Sequence, residues 1–132
     1  VDPNSMWKVQ PVAASITPTN NGASWDLSTP PDPFVQMACP PSSAPVNSST
    51  PSVTDSLTPT WGTGGCVTTA KALLAGPWVF QLWDYDTPDP DDSITTGLQV
   101  QFTEANFAAA PGAITLSANG GMASMTLQLQ KQ

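Results

Sequence analysis

The chain has 132 residues, of which 39% are hydrophobic and only 10% charged, against roughly 25% charged in an average domain. It has no histidine, no arginine and three lysines, and its ten acids are nine aspartates and Glu104, for a formal net charge of −7. That set excludes Ser-His-Asp and Cys-His nucleophiles, histidine metal sites, arginine phosphate clamps and a basic nucleic-acid footprint, so any chemistry here is carboxylate chemistry.

The length suits a single domain spanning residues 1–132. No run reaches the 18 or so apolar residues of a membrane span. The opening Val1-Asp2-Pro3 lacks the basic and apolar regions of a signal peptide, so the chain reads as a mature protein or an excised domain. Fifteen prolines and nine glycines supply many turns, while five tryptophans and four phenylalanines supply anchors for a packed core.

In chain order, Trp7 and Val9 share one face, and Val12, Ala14 and Ile16 share another. The phase slips at Pro11, which predicts a bulge or an edge. Phe34 to Cys39 is a short run apolar on both faces, as in a strand inside a packed sandwich. Pro40 to Pro45 reads as a loop, and Asn47 to Thr54 as a polar edge strand. Val67 to Leu74 fits either a strand or a short helix. Trp78 to Trp83 is again apolar on both faces. Leu98, Val100 and Phe102 alternate with polar residues, as do Ile114 and Leu116, and Met125, Leu127 and Leu129. Asn119-Gly120-Gly121 reads as the hairpin turn between the last two of these. The pattern predicts an all-β, eight-stranded antiparallel sandwich without a long helix.

Cys39 and Cys66 allow one disulfide closing 27 residues; the alternative is two buried thiols. Low lysine content, abundant Ser, Thr and Pro, and a single pair favour the bridge and an exported, surface or periplasmic protein. Asn47-Ser48-Ser49 fits a glycosylation sequon.

Five of the nine aspartates crowd into nine residues: Asp84, Asp86, Asp89, Asp91 and Asp92. An acid run in a charge-poor chain repels itself unless a cation neutralises it. Its first member lies where a buried strand ends, and Pro88 and Pro90 restrict the rest of the loop. Oxygen donors without nitrogen or sulfur select Ca²⁺, Mg²⁺ or Mn²⁺, and several carboxylates in one loop favour Ca²⁺. The run is not an EF-hand, because it lacks that loop's central glycine and closing glutamate.

A second acidic pair, Asp26 and Asp32, lies six residues apart, and Asp32 is followed by Pro33-Phe34-Val35. Much later comes Trp83-Asp84-Tyr85-Asp86, with Asp92 six residues after Asp86. Between the two lies Ser56-Leu57-Thr58-Pro59-Thr60-Trp61. These three segments, in this order and spacing, resemble the calcium-binding C2 domain. One strand precedes the first acidic loop and an extra one closes the chain, which resembles the circularly permuted, type II form, as in exported bacterial-type members.

The resemblance implies calcium loops at about 20–33, 56–65 and 84–93. It places Asp26, Asp32, Asp84, Asp86 and Asp92 as ligands of one or two Ca²⁺ ions, with Asp86 bridging. It also puts the Tyr85 carbonyl at a backbone-ligand position and Asp89 at an auxiliary one. Members that bind membranes carry basic or apolar loop tips and often a lysine-rich strand. Here the tips are Leu27 to Pro31 and Thr87 to Pro90, with Leu27 alone strongly apolar and no lysine nearby. The expected function is therefore a non-catalytic calcium-binding module of a secreted or surface protein, its loops ordered by Ca²⁺ for adhesion or targeting. A surface glycan, a protein or a phospholipid is the expected partner. The alternative is a Ca²⁺-dependent phospholipid-binding C2 domain; a carboxylate-based glycosidase ranks below both, since Glu104 is the only glutamate and the aspartates gather in one place.

Overall fold

The computed structural model describes residues 1–26, 29–39, 48–117 and 123–132. The Pro40–Pro45 loop, the asparagine of the sequon, the Leu27 tip and the turn at 119–121 lie outside them.

Among the described residues, eight strands form two four-stranded antiparallel sheets. They are β1 (Met6–Ile16), β2 (Pro33–Met37), β3 (Ser48–Ser49), β4 (Cys66–Thr69), β5 (Trp78–Asp84), β6 (Asp92–Val100), β7 (Ala113–Ser117) and β8 (Ala123–Lys131). One sheet runs β4-β1-β8-β7 and the other β3-β2-β5-β6. A single strand, β1, precedes the first acidic segment and β8 closes the chain at its side, the order expected of the type II arrangement.

Alternation decides which face of each strand is inward. Met125, Leu127 and Leu129 of β8 are fully buried and meet Val35, Phe80, Leu82 and Leu98 of the opposite sheet in one core. The β1–β8 register shifts between Pro11 and Ala13. Proline has no N–H to give the ladder, so the strand slips there and swaps the face it buries from Trp7 and Val9 to Ala14 and Ile16.

Three segments differ from the sequence expectation. Among the described residues the polar edge strand is Ser48–Ser49, paired with Gln36 and Met37. The ambiguous segment is both things in turn: β4, then helix α1 (Ala70–Leu74), capped by the Thr69 hydroxyl accepting from the Ala72 N–H. A second short helix, α2 (Glu104–Ala108), follows β6 and carries Phe107 edge-on against Trp7, with ring centroids 5.0 Å apart. Cys39, just past β2, is bridged to Cys66 of β4 with the Cα atoms 5.5 Å apart, so the disulfide ties the two sheets together.

Candidate metal centre

The acidic residues come together because three connections meet at one end of the sandwich. The first leaves β1 and folds on a tight turn in which Asn20 and Ala23 exchange backbone hydrogen bonds, with Asn21 and Gly22 in the left-handed region. Trp25 is buried and donates its indole N–H to the Thr17 carbonyl at 2.9 Å, which anchors the residue before Asp26.

The second connection is stitched to both neighbours. Ile16 and Ala14 of β1 donate to the Leu57 and Pro59 carbonyls, and Ser56 donates to that of Pro31. Gly64, with φ +84°, packs so closely on the Ser49 and Thr50 backbone that any Cβ would collide with it. The third connection spans Asp84, the last residue of β5, and Asp92, the first of β6, which sit opposite each other in the ladder.

Carboxylates lace these connections together. The Asp32 N–H donates to Asp84 Oδ1 at 2.8 Å, the Asp55 N–H to Asp32 Oδ1 at 2.8 Å, and the Asp86 N–H to Asp91 Oδ1 at 2.9 Å. Asp91 therefore shapes the third turn. Asp55 holds a left-handed backbone (φ 49°), which aspartate tolerates better than most residues.

Two trios of oxygens result, each within 4.8 Å: Asp26 with Asp84 and Asp86, and Asp26 with Asp32 and Asp55. Asp26, rather than Asp86, is the member they share. Asp89 and Asp92 stand outside both trios and line, with Ser24, Trp25, Asp26 and Asp86, a cavity of about 460 Å³. The Tyr85 N–H donates to the Asp32 carbonyl at 3.0 Å, while its ring points to solvent.

Asp55 is the site residue that sequence reasoning missed. It is the lone acid between Asp32 and Asp84, in a segment rich in Ser and Thr. The available signal was its place immediately before the Ser56–Trp61 motif.

The electrostatics are those of acidic groups able to hold a metal ion. Asp84 is 0% exposed, and its Oδ2 has no hydrogen-bond partner among the described residues; the same is true of Asp86 Oδ2. Burial pushes the Asp84 carboxyl up to about 7, with the charges of Asp26, Asp86 and Asp32 adding to it against the opposing Asp32 N–H. Asp86 is pushed up to about 6, first by burial and then by Asp26 and Asp92 beside it. Unpartnered buried carboxylate oxygens close to other carboxylates are costly in a folded protein unless a proton or a metal offsets them. The donor set is all oxygen, the kind that hard divalent cations take.

No protein-family model matches the chain, and no curated protein does. Solved structures do. The first C2 domain of a plant extended synaptotagmin 1 superposes with a TM-score of 0.73 at 15% identity, covering 100% of this chain and 97% of that one. Human GIVD cytosolic phospholipase A2 gives 0.68 at 17% identity, over 99% of this chain and 17% of the enzyme. The calcium-bound tandem of two C2 domains from extended synaptotagmin 2 gives 0.67 at 14%, over 98% of this chain and 46% of that one. The phospholipase has also been solved with an inhibitor and terbium chloride, at a TM-score of 0.65 and 16% identity. Identities this low speak to architecture alone, and the chain spans only a small part of the phospholipase. The fold is that of a C2 domain.

Proposed function

We propose that this chain is a calcium-binding, non-catalytic module of an exported or surface protein, in which one or two Ca²⁺ ions order the three acidic connections. The observation that carries the reading is Asp84: a fully buried carboxylate with one oxygen unpartnered, facing Asp26 and Asp86. One ion would sit in the Asp26–Asp84–Asp86 trio and a second in the Asp26–Asp32–Asp55 trio, sharing Asp26. Support comes from the C2-like fold and from a neighbour solved with calcium bound. The Cys39–Cys66 bridge supports an oxidising compartment. Its one glutamate lies at the far end beside Val1, away from the aspartates. Ca²⁺ here is an organiser of loops that present a surface for adhesion or targeting.

The test is thermal unfolding of metal-stripped protein with added Ca²⁺. Extracellular calcium sites commonly dissociate at roughly 10⁻⁴ to 10⁻³ M. At ten times such a constant, each site adds about 1.4 kcal/mol, a melting shift of roughly 3–6 °C for a domain of this size. Asp26→Asn, which touches both trios, removes most of the shift. Trp25 lines the same cavity, so Tb³⁺ in place of Ca²⁺ should show tryptophan-sensitised emission. A melting curve indifferent to millimolar Ca²⁺, together with no sensitised terbium emission, refutes the reading.

A further inference from the structure

The calcium reading leaves one built surface unused. Four of the five tryptophans are buried in the core; Trp83 alone is not. It lies on the outer face of β5, alternating with the inward Leu82 and Asp84, and two residues on comes the only tyrosine, Tyr85, 45% exposed. Phe34 pairs with Trp83 across β2 and β5 and meets Tyr85 edge-on at 6.4 Å. Phe34 is only 7% exposed, yet it is not a member of the inter-sheet core. Phe34 and Tyr85 thus form an aromatic pair on the outside of the sheet, with Trp83 beside Phe34 in the ladder.

Amides continue the row. Gln81 pairs with Gln36, and Gln81 Oε1 accepts from the Trp83 indole N–H at 3.2 Å, which sets the tilt of the ring. Next along β5 is Val79, 49% exposed and paired with Gln99. Beyond them a groove of about 480 Å³ is lined by Gln36, Ala38, Ala72, Pro77, Val79 and Gln81, among others, none of them charged. From Tyr85 to Val79 the strip runs six residues, or about 20 Å at the rise of a strand.

Charge selects the occupant. In a chain with ten acids, the groove and the outward residues Val79, Gln81 and Trp83 carry neither carboxylate nor lysine, and the acids begin only beside Tyr85. A phosphate or uronate finds no cation there, and a basic peptide finds no anion. What the strip offers is flat ring surface beside amides that both donate and accept hydrogen bonds. Those are the needs of a pyranose chain, whose C–H faces stack on rings and whose hydroxyls are donor and acceptor at once. We propose that the outer face of the β2–β5 sheet is a binding site for a neutral polysaccharide, independent of the acidic loops.

The experiment is native affinity electrophoresis through gels containing soluble neutral polysaccharides (hydroxyethylcellulose, mixed-linkage β-glucan, galactomannan, xylan), run in EDTA. At least one should retard the protein. Trp83→Ala, which removes the central ring, and Gln36→Ala should each weaken the apparent affinity about tenfold or more. Gln36→Ala should keep the full Ca²⁺-induced melting shift, showing that its fold and metal site are intact. Migration unaffected by every neutral polysaccharide overturns the proposal, as does retardation that both substitutions leave unchanged. Retardation by polygalacturonate alone, and only with Ca²⁺, also overturns it and moves the ligand to the acidic loops. Because the assay runs in EDTA, its failure is distinguishable from failure of the calcium reading.

Discussion

At one end of the sandwich lie eight of the nine aspartates; at the other lie all three lysines, with Asp2 and Glu104. Formal charge is −8 at the first end and +1 at the second, together the −7 of the whole chain. Lys8 and Lys131 sit where β1 begins and β8 ends, and the Lys71 N–H donates to the Pro3 carbonyl. The lysine end is closed by ordinary means: Trp7 packs on Phe107, α2 covers them, and the Val1 ammonium meets Glu104 at 2.7 Å. The aspartate end is closed by carboxylates accepting backbone N–H groups, with two buried oxygens left over. Hydrophobic closure is complete in itself, whereas carboxylate closure requires a proton or a metal. Stability at the two ends should therefore answer to different variables.

The largest expected effect tests the self-sufficient end. Phe107→Ala deletes a buried ring and should cost about 3–5 kcal/mol. Denaturant unfolding should give the same loss in EDTA and in excess Ca²⁺; a loss that calcium changes would show that the two ends are coupled.

Next in size is the pH dependence of the metal-free protein. With Asp84 raised to about 7 and Asp86 to about 6 from an ordinary 3.8, the folded state holds protons that the unfolded chain releases near pH 4. Stability from that uptake is fully present below pH 4 and is lost as pH rises through 6 to 7. In EDTA, unfolding free energy should fall by about 2–4 kcal/mol between pH 4 and pH 8. Excess Ca²⁺ should flatten or reverse the slope, since the ion replaces the proton. An EDTA profile that rises over this range would mean the carboxylates are ionised and paired in some other way.

A smaller effect carries a change of sign. Asp84→Asn keeps an oxygen for the Asp32 N–H but removes a buried charge, so metal-free protein at pH 7.5 should gain about 1–2 kcal/mol. The same substitution should abolish most of the stabilisation by Ca²⁺. A loss in both conditions would mark Asp84 as a structural acceptor only.

Smallest of all is the expected attraction to membranes. The lysines lie at the end opposite the loops, and a surface lysine or arginine near an anionic leaflet is worth about 1 kcal/mol. Sedimentation with phosphatidylserine vesicles at physiological salt should show weak or no binding, with or without Ca²⁺. Tight, EDTA-reversible binding would instead assign the loops to phospholipid.

Much of this molecule is legible in one dimension. Period-two alternation marks β1, β7 and β8, and the slip at Pro11 locates the bulge, because both follow from the pleat and from proline's missing N–H. The spacing of Asp26 from Asp32, and of Asp86 from Asp92, points to the acidic end before any coordinates. The cysteine pair points to the bridge that is present. Such features depend on residues near one another in the chain.

What only the tertiary structure decides depends on register and on which connections meet. Asp55 is 23 residues from Asp32 in sequence, yet its N–H reaches that carboxylate because the second connection is stitched between β1 and the first loop. Asp26, not Asp86, becomes the shared member of two trios, because the first connection lies between the other two. Nothing in composition separates Trp83 from the four core tryptophans; its place on the outward phase of β5, paired with Phe34 in the ladder, does. Composition and local pattern specify what each segment can do alone. Burial, and with it the raised Asp84 carboxyl and its idle oxygen, exists only once distant segments have closed over it.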